Sequence, residues 1–94
     1  MNTQKINSLL KLLKLDSYMG NYGRKNYIID LNDDSEWGKV YTILDSTPEL
    51  DQIEENVLLT EHNSSLLYNY NDELLLNLKA DFDNDQYQLV ISEI

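Results

Sequence analysis

Residues 73–82 keep an apolar residue at every second position. Leu74, Leu76, Leu78, Ala80 and Phe82 fall on one side of an extended chain, and Glu73, Leu75, Asn77, Lys79 and Asp81 on the other. A helix, turning ~100° per residue, would scatter that apolar set around its circumference, whereas a strand gathers it on one face. The segment therefore predicts a half-buried strand, and a strand face of this kind needs a second layer to cover it. The cover lies near the N-terminus, where Ile6, Leu9, Leu10 and Leu13 follow i, i+3, i+4, i+7 spacing. That is a stripe of roughly 100° on an amphipathic helix over residues 3–15. Asn2 or Thr3 can cap its start, Lys11 and Lys14 fall on its solvent side, and Asp16, Ser17 and Gly20 mark its end.

The remaining segments read as strands and turns. Residues 16–25 form a loop around Gly20 and Gly23. Asn26–Leu31 and Trp37–Leu44 are expected to pair as a hairpin across the polar turn Asn32–Glu36. Thr47-Pro48-Glu49 has the order of a cap, a proline at the first helical position and an acid in the first turn, which predicts one helical turn through Ile53. Val57–His62, Leu66–Tyr70, Glu73–Phe82 and Tyr87–Ile94 then form a C-terminal meander. Its turns are expected at Asn63-Ser64-Ser65, Asn71-Asp72 and Asp83-Asn84-Asp85-Gln86. Ninety-four residues supply one core, with seventeen leucines as its main stock. The expected architecture is α+β: a single domain over 1–94 with the N-terminal helix on one face of an antiparallel sheet of five to six strands.

Charge divides the same chain. Residues 1–25 carry Lys5, Lys11, Lys14, Arg24 and Lys25 against Asp16, a net of +4. Residues 26–94 carry sixteen carboxylates against Lys39 and Lys79, a net of −14, and the two parts sum to −10. The domain is thus a basic helix and loop (1–25) followed by an acidic, β-rich part (26–94). A surface of this sign repels nucleic acid and attracts the basic proteins that grip it. Small domains usually need a net charge of only ~2–8 for solubility, and −10 exceeds this range at a cost in self-repulsion. That excess argues for a functional acidic surface.

Other chemistries lack their parts. Without cysteine there is no disulfide, thiol nucleophile or thiolate-bound zinc, which fits a reducing compartment such as the cytoplasm of a bacterial host cell. The richness in Asn, Ile and Lys and the scarcity of Gly, Pro and Arg suit an AT-rich genome, bacterial or phage. Asp81-Phe82-Asp83-Asn84-Asp85 has the spacing that opens a calcium loop, but Gln86 and Ser92 stand where that loop needs glycine and a bidentate acid. His62, the only histidine, neighbours Ser64 and Ser65 with no third group in sequence to orient it. No glycine-rich phosphate loop, signal peptide or run of ~18 apolar residues is present. A non-enzymatic protein is expected, with no cofactor, no membrane partner and no direct nucleic-acid contact, acting as a monomer or small homo-oligomer.

The carboxylates form three sets along the chain. The first is Asp30, Asp33, Asp34 and Glu36; the second Asp45, Glu49, Asp51, Glu54 and Glu55; the third Asp72, Glu73, Asp81, Asp83 and Asp85. Trp37 with Tyr41, and Tyr68 with Tyr70, are in phase as strand pairs and add aromatic contact candidates, since aromatic area is enriched in interfaces. A short, acidic, cysteine-free chain with a helix on an antiparallel sheet resembles the small phage-encoded inhibitors that imitate nucleic acid. These include anti-CRISPR proteins, uracil-DNA glycosylase inhibitors and anti-restriction proteins. Glu55-Asn56-Val57-Leu58-Leu59-Thr60 and Gln88-Leu89-Val90-Ile91 are loosely similar to strand segments of the glycosylase inhibitors, whereas Asp45-Ser46-Thr47 departs from their acidic strand leading into a Leu-Pro turn. The resemblance implies a stoichiometric inhibitor that fills the DNA- or RNA-binding groove of a basic nuclease or Cas effector. Two alternatives share the composition: an immunity protein or antitoxin that neutralises a basic nuclease toxin, and a small structural or adaptor subunit.

Overall fold

The computed structural model describes residues 3–54 and 57–94, and in it two helices lie on one face of an antiparallel sheet. Helix α1 spans Thr3–Leu12 and buries Ile6, Leu9 and Leu10. It ends in a Schellman motif: Lys14 takes a left-handed φ of 59°, its N–H donates to the Lys11 carbonyl (3.1 Å), and the Leu15 N–H donates to that of Leu10 (2.7 Å). The two positions whose apolar side chains accompany this motif, Leu10 and Leu15, are both buried. The cap proposed at Asn2 lies outside the described residues.

The strands are β1 (Gly20–Tyr22), β2 (Asn26–Leu31), β3 (Leu50–Gln52), β4 (Leu58–Leu59), β5 (Asn63–Tyr70), β6 (Leu74–Asp81) and β7 (Gln86–Glu93). They are ordered β1-β2-β7-β6-β5-β3, with β4 also paired to β5. The β5–β6–β7 meander has the phase that the alternation predicted. Leu74, Leu76, Leu78 and Ala80 are buried, as are Tyr87, Leu89 and Ile91, while Phe82 is half-buried at the rim. Asn71 and Asp72 both take positive φ (53° and 57°) and the Glu73 N–H donates to the Tyr70 carbonyl, the turn that matches strand twist in a tight hairpin.

The chain departs from expectation in its middle. Residues 34–46 are not a strand paired with Asn26–Leu31 but a second helix, α2 (Asp34–Ser46). The partner of β2 is β7, in register Ile29↔Leu89. The geometry of the layers gives the reason. Six strands ~4.8 Å apart make a sheet about 24 Å across, and one helix of ~10 Å diameter covers less than half of it. As a helix, residues 34–46 place Val40 and Leu44 in the common core, with Trp37 and Ile43 packed against it. Pro48 does not open a helix either: Thr47 is the C-cap of α2, and the chain passes directly into β3 at Leu50. Smaller differences follow. The loop 16–25 contains β1, where the Tyr27 ring lies so close to Gly20 that a Cβ there would strike it. The strand expected over Val57–His62 is only β4, and Asn63-Ser64-Ser65 begins β5 instead of forming a turn.

Candidate functional site: an acidic end of the sheet

Strand direction decides which carboxylates meet. β2 and β6 run toward the same end, and β7 and β5 start there, because Leu31 pairs with Tyr87 and Asp81 with both Gln86 and Asn63. The start of α2, the β6–β7 turn and the turn before β5 therefore share that end. Asp30, Asp33, Asp34 and Glu36 arrive from the first segment, Asp81, Asp83 and Asp85 from the second, and Glu61 from the third. Aromatic rings join the segments: Trp37 of α2 meets Phe82 edge-on at 5.6 Å, and Phe82 meets Tyr87 at 6.0 Å. The Phe82 N–H donates to the His62 carbonyl at 2.9 Å. The field of the acids reaches the neighbouring phenols. Burial raises the pKa of the Tyr87 phenol, and Asp85, Asp34 and Asp33 raise it further; burial, Glu36 and Asp33 do the same to Tyr18.

Most of these carboxylates are held. Asp33 is the N-cap of α2 and accepts the Glu36 N–H at 2.9 Å, while Glu36 accepts the Asn32 N–H at 2.7 Å and its side-chain amide at 3.2 Å. Asp81 accepts the Asn84 N–H (3.3 Å) and side-chain amide (2.8 Å). Asp83 lies 2.9 Å from His62 Nδ1, and Glu61 lies 3.4 Å from Nε2. Gln88 donates to Asp30 at 2.9 Å. Glu61 belongs to no set chosen from the sequence. Its signal was the turn it shares with His62, which the expected strand through His62 concealed.

The other acids lie elsewhere. Asp45, Glu49, Asp51 and Glu54 are exposed around the end of α2 and the β3 edge, and Glu55 lies outside the described residues. Asp72 and Glu73 sit at the far end of β6, about 23 Å from Asp81 at ~3.3 Å per residue. There the Lys5 ammonium pairs with Glu73 at 2.9 Å, and the Glu93 N–H donates to the Lys25 carbonyl. The third set of the sequence is thus split, and half of it joins the first. One end of the sheet is strongly acidic, while at the other Lys5, Arg24 and Lys25 offset Asp72, Glu73 and Glu93.

The aromatic candidates also separate. Trp37 and Tyr41 are one turn apart on α2, with ring centroids 5.7 Å apart, and Tyr41 is 37% exposed. Tyr68 is 1% exposed, a core residue whose hydroxyl accepts a 3.4 Å hydrogen bond from Gln52, so it offers no contact surface. Burial, with the charge of Asp45, pushes its pKa up to about 12. Tyr70 is half-buried against the core.

The arrangement suits recognition by charge. The Asp81–Asp85 segment is a hairpin tip, not a loop between helices, and His62 turns both ring nitrogens to carboxylates rather than to a hydroxyl. Among the described residues no group of three or more acidic, histidine or cysteine side chains is arranged to hold a metal ion, and no helix is long and apolar enough to cross a membrane. Compared with known protein families, characterised proteins and solved structures, the chain matches none.

Proposed function

We propose that this chain is a non-enzymatic inhibitor whose acidic end imitates nucleic acid and occupies the DNA- or RNA-binding groove of a basic host defence nuclease, with a Cas effector the favoured target. One observation carries the reading. Eight carboxylates from three separate segments converge at one end of the sheet, and six of them (Asp30, Asp33, Glu36, Glu61, Asp81 and Asp83) are tethered by hydrogen bonds or to His62. A duplex presents charge every ~1.7 Å of axis on a stiff frame. A competitor for the same groove gains from carboxylates that are already ordered, because little side-chain entropy is then lost on binding. Association driven in this way is fast and falls with ionic strength.

The test is displacement. The chain is added in increasing ratio to guide-loaded Cas nucleases, each holding its fluorescent target duplex, and anisotropy is followed. A stoichiometric release from at least one nuclease, weakened by salt, is the expected result. Retention of the duplex by every nuclease tested, or release that does not change when the acidic end is neutralised, rejects nucleic-acid mimicry. Inhibition of a nuclease with its duplex still bound would place the chain with the immunity proteins instead.

A further inference from the structure

The outward face of α2 carries a glycine that the fold does not use. At ~100° per residue, Asp34, Gly38, Tyr41, Thr42 and Asp45 form one stripe opposite the buried Val40 and Leu44, with Trp37 along its edge and Lys39 about a quarter turn away. Gly38 lies between the two carboxylates. It has no positive φ, and a Cβ built on it meets nothing within 4 Å. Neither backbone conformation nor internal packing accounts for it, and glycine weakens a helix interior relative to alanine. The missing Cβ leaves room for a ligand to approach the backbone closely from outside.

We infer that the Gly38 notch on α2 is a docking surface for an arginine-bearing segment of the basic partner, with Asp34 and Asp45 at its two ends and the exposed Tyr41 ring, in contact with the half-buried Trp37, beside it. The inference rests on the proposed inhibitory reading and specifies which side chain of the partner the helix receives. Charge complementarity selects a cation for this face. The Tyr41 ring next to carboxylates selects arginine over lysine, because guanidinium stacks on an aromatic plane while it pairs with an acid in its own plane. The missing Cβ lets that flat group lie against the helix backbone.

Trp37 is the only tryptophan, so it reports directly on this surface. Hexa-arginine and hexalysine are titrated into the native chain and into Gly38→Leu and Gly38→Ala at low ionic strength. Trp37 emission is read together with calorimetry. The expected result is saturable, salt-sensitive binding of hexa-arginine that changes Trp37 emission, with at least fivefold weaker binding of hexalysine. Gly38→Leu is expected to weaken hexa-arginine at least fivefold while melting no lower than the native chain. Gly38→Ala controls for folding: its melting temperature rises by roughly 4 °C or more, as for an unconstrained helix glycine. Equal affinity in the native chain and Gly38→Leu overturns the inference. So does salt-sensitive hexa-arginine binding that leaves Trp37 emission unchanged, although that result leaves the acidic-end reading standing. Binding of neither peptide overturns both.

Discussion

Asp33 and Glu36 have two roles that a charge-reversal experiment would confuse. Both belong to the acidic end, and both hold the start of α2 through the 2.9 Å cap and the 2.7 Å bond from the Asn32 N–H. The informative perturbation is the triple neutralisation Asp33→Asn, Asp34→Asn and Glu36→Gln, which moves the net charge from −10 to −7 and keeps an acceptor oxygen at each capping position. Loss of carboxylates from the first turn costs ~0.3–1 kcal/mol each through the helix dipole. Relief of repulsion from the five remaining acids offsets part of this. The net change is expected to stay within ~1 kcal/mol, or roughly 4–8 °C of melting temperature for a domain of this size. The triple alanine variant also loses the caps, at about 1 kcal/mol for the N-cap alone, and is expected to melt clearly lower. Each exposed charge pair with a cationic partner contributes ~0.5–1 kcal/mol at most. Removal of three should therefore weaken hexa-arginine, and any nuclease that the chain inhibits, by about tenfold to a hundredfold. Thermal melts by circular dichroism and calorimetric titration give the two quantities separately. If the Asn/Gln triple melts as low as the alanine triple, the capping argument fails; if it melts like the native chain and binds as tightly, the charge argument fails.

Three further outcomes follow from the same structure. Leu76 is 0% exposed in β6, the strand between β5 and β7, so Leu76→Ala should cost about 2–5 kcal/mol in a urea titration, and a native-like midpoint would contradict the core assignment. Tyr68 ionises at about 12 in the fold against about 10 in the unfolded chain, and Tyr18, Tyr27 and Tyr87 are raised in the same direction. Their contribution is complete below pH 10 and is lost as pH rises from 10 toward 12, so the melting temperature should fall across that window, less steeply in Tyr68→Phe. Added salt screens the acidic end over ~8–10 Å and should raise the melting temperature while weakening any charge-driven complex; a fall in melting temperature would show that attractive pairs dominate the surface.

The strands of the meander were legible because each side chain on their inner faces has the same environment, and period 2 records it directly. Helix α1 was legible for the corresponding reason at period 3.6. The error over residues 34–46 has a physical source. Trp37, Val40, Tyr41 and Ile43 are good strand formers, and strand propensity reflects a fit to a half-buried surface that a helix on a sheet also provides. The Asp33-x-x-Glu36 spacing is a helix-start signal of the capping-box kind, but Asn32–Glu36 has the composition of a polar turn as well. An expected strand over Val57–His62 conceals Glu61, and one over Trp37–Leu44 conceals the outward position of Gly38.

By itself the chain determined its class, α+β with an N-terminal helix, the inner faces of its long strands, and an acidic sum that favours basic partners. Those properties reside in local periodicity and in counts, which need no knowledge of what lies beside what. Only the tertiary structure decided that Asp33, Glu61 and Asp83 share one end of the sheet while Asp72 and Asp83, eleven residues apart, stand at opposite ends. Proximity across a sheet depends on strand direction and pairing order. A strand of eight residues carries its two turns more than 20 Å apart, and the return strand brings distant segments together.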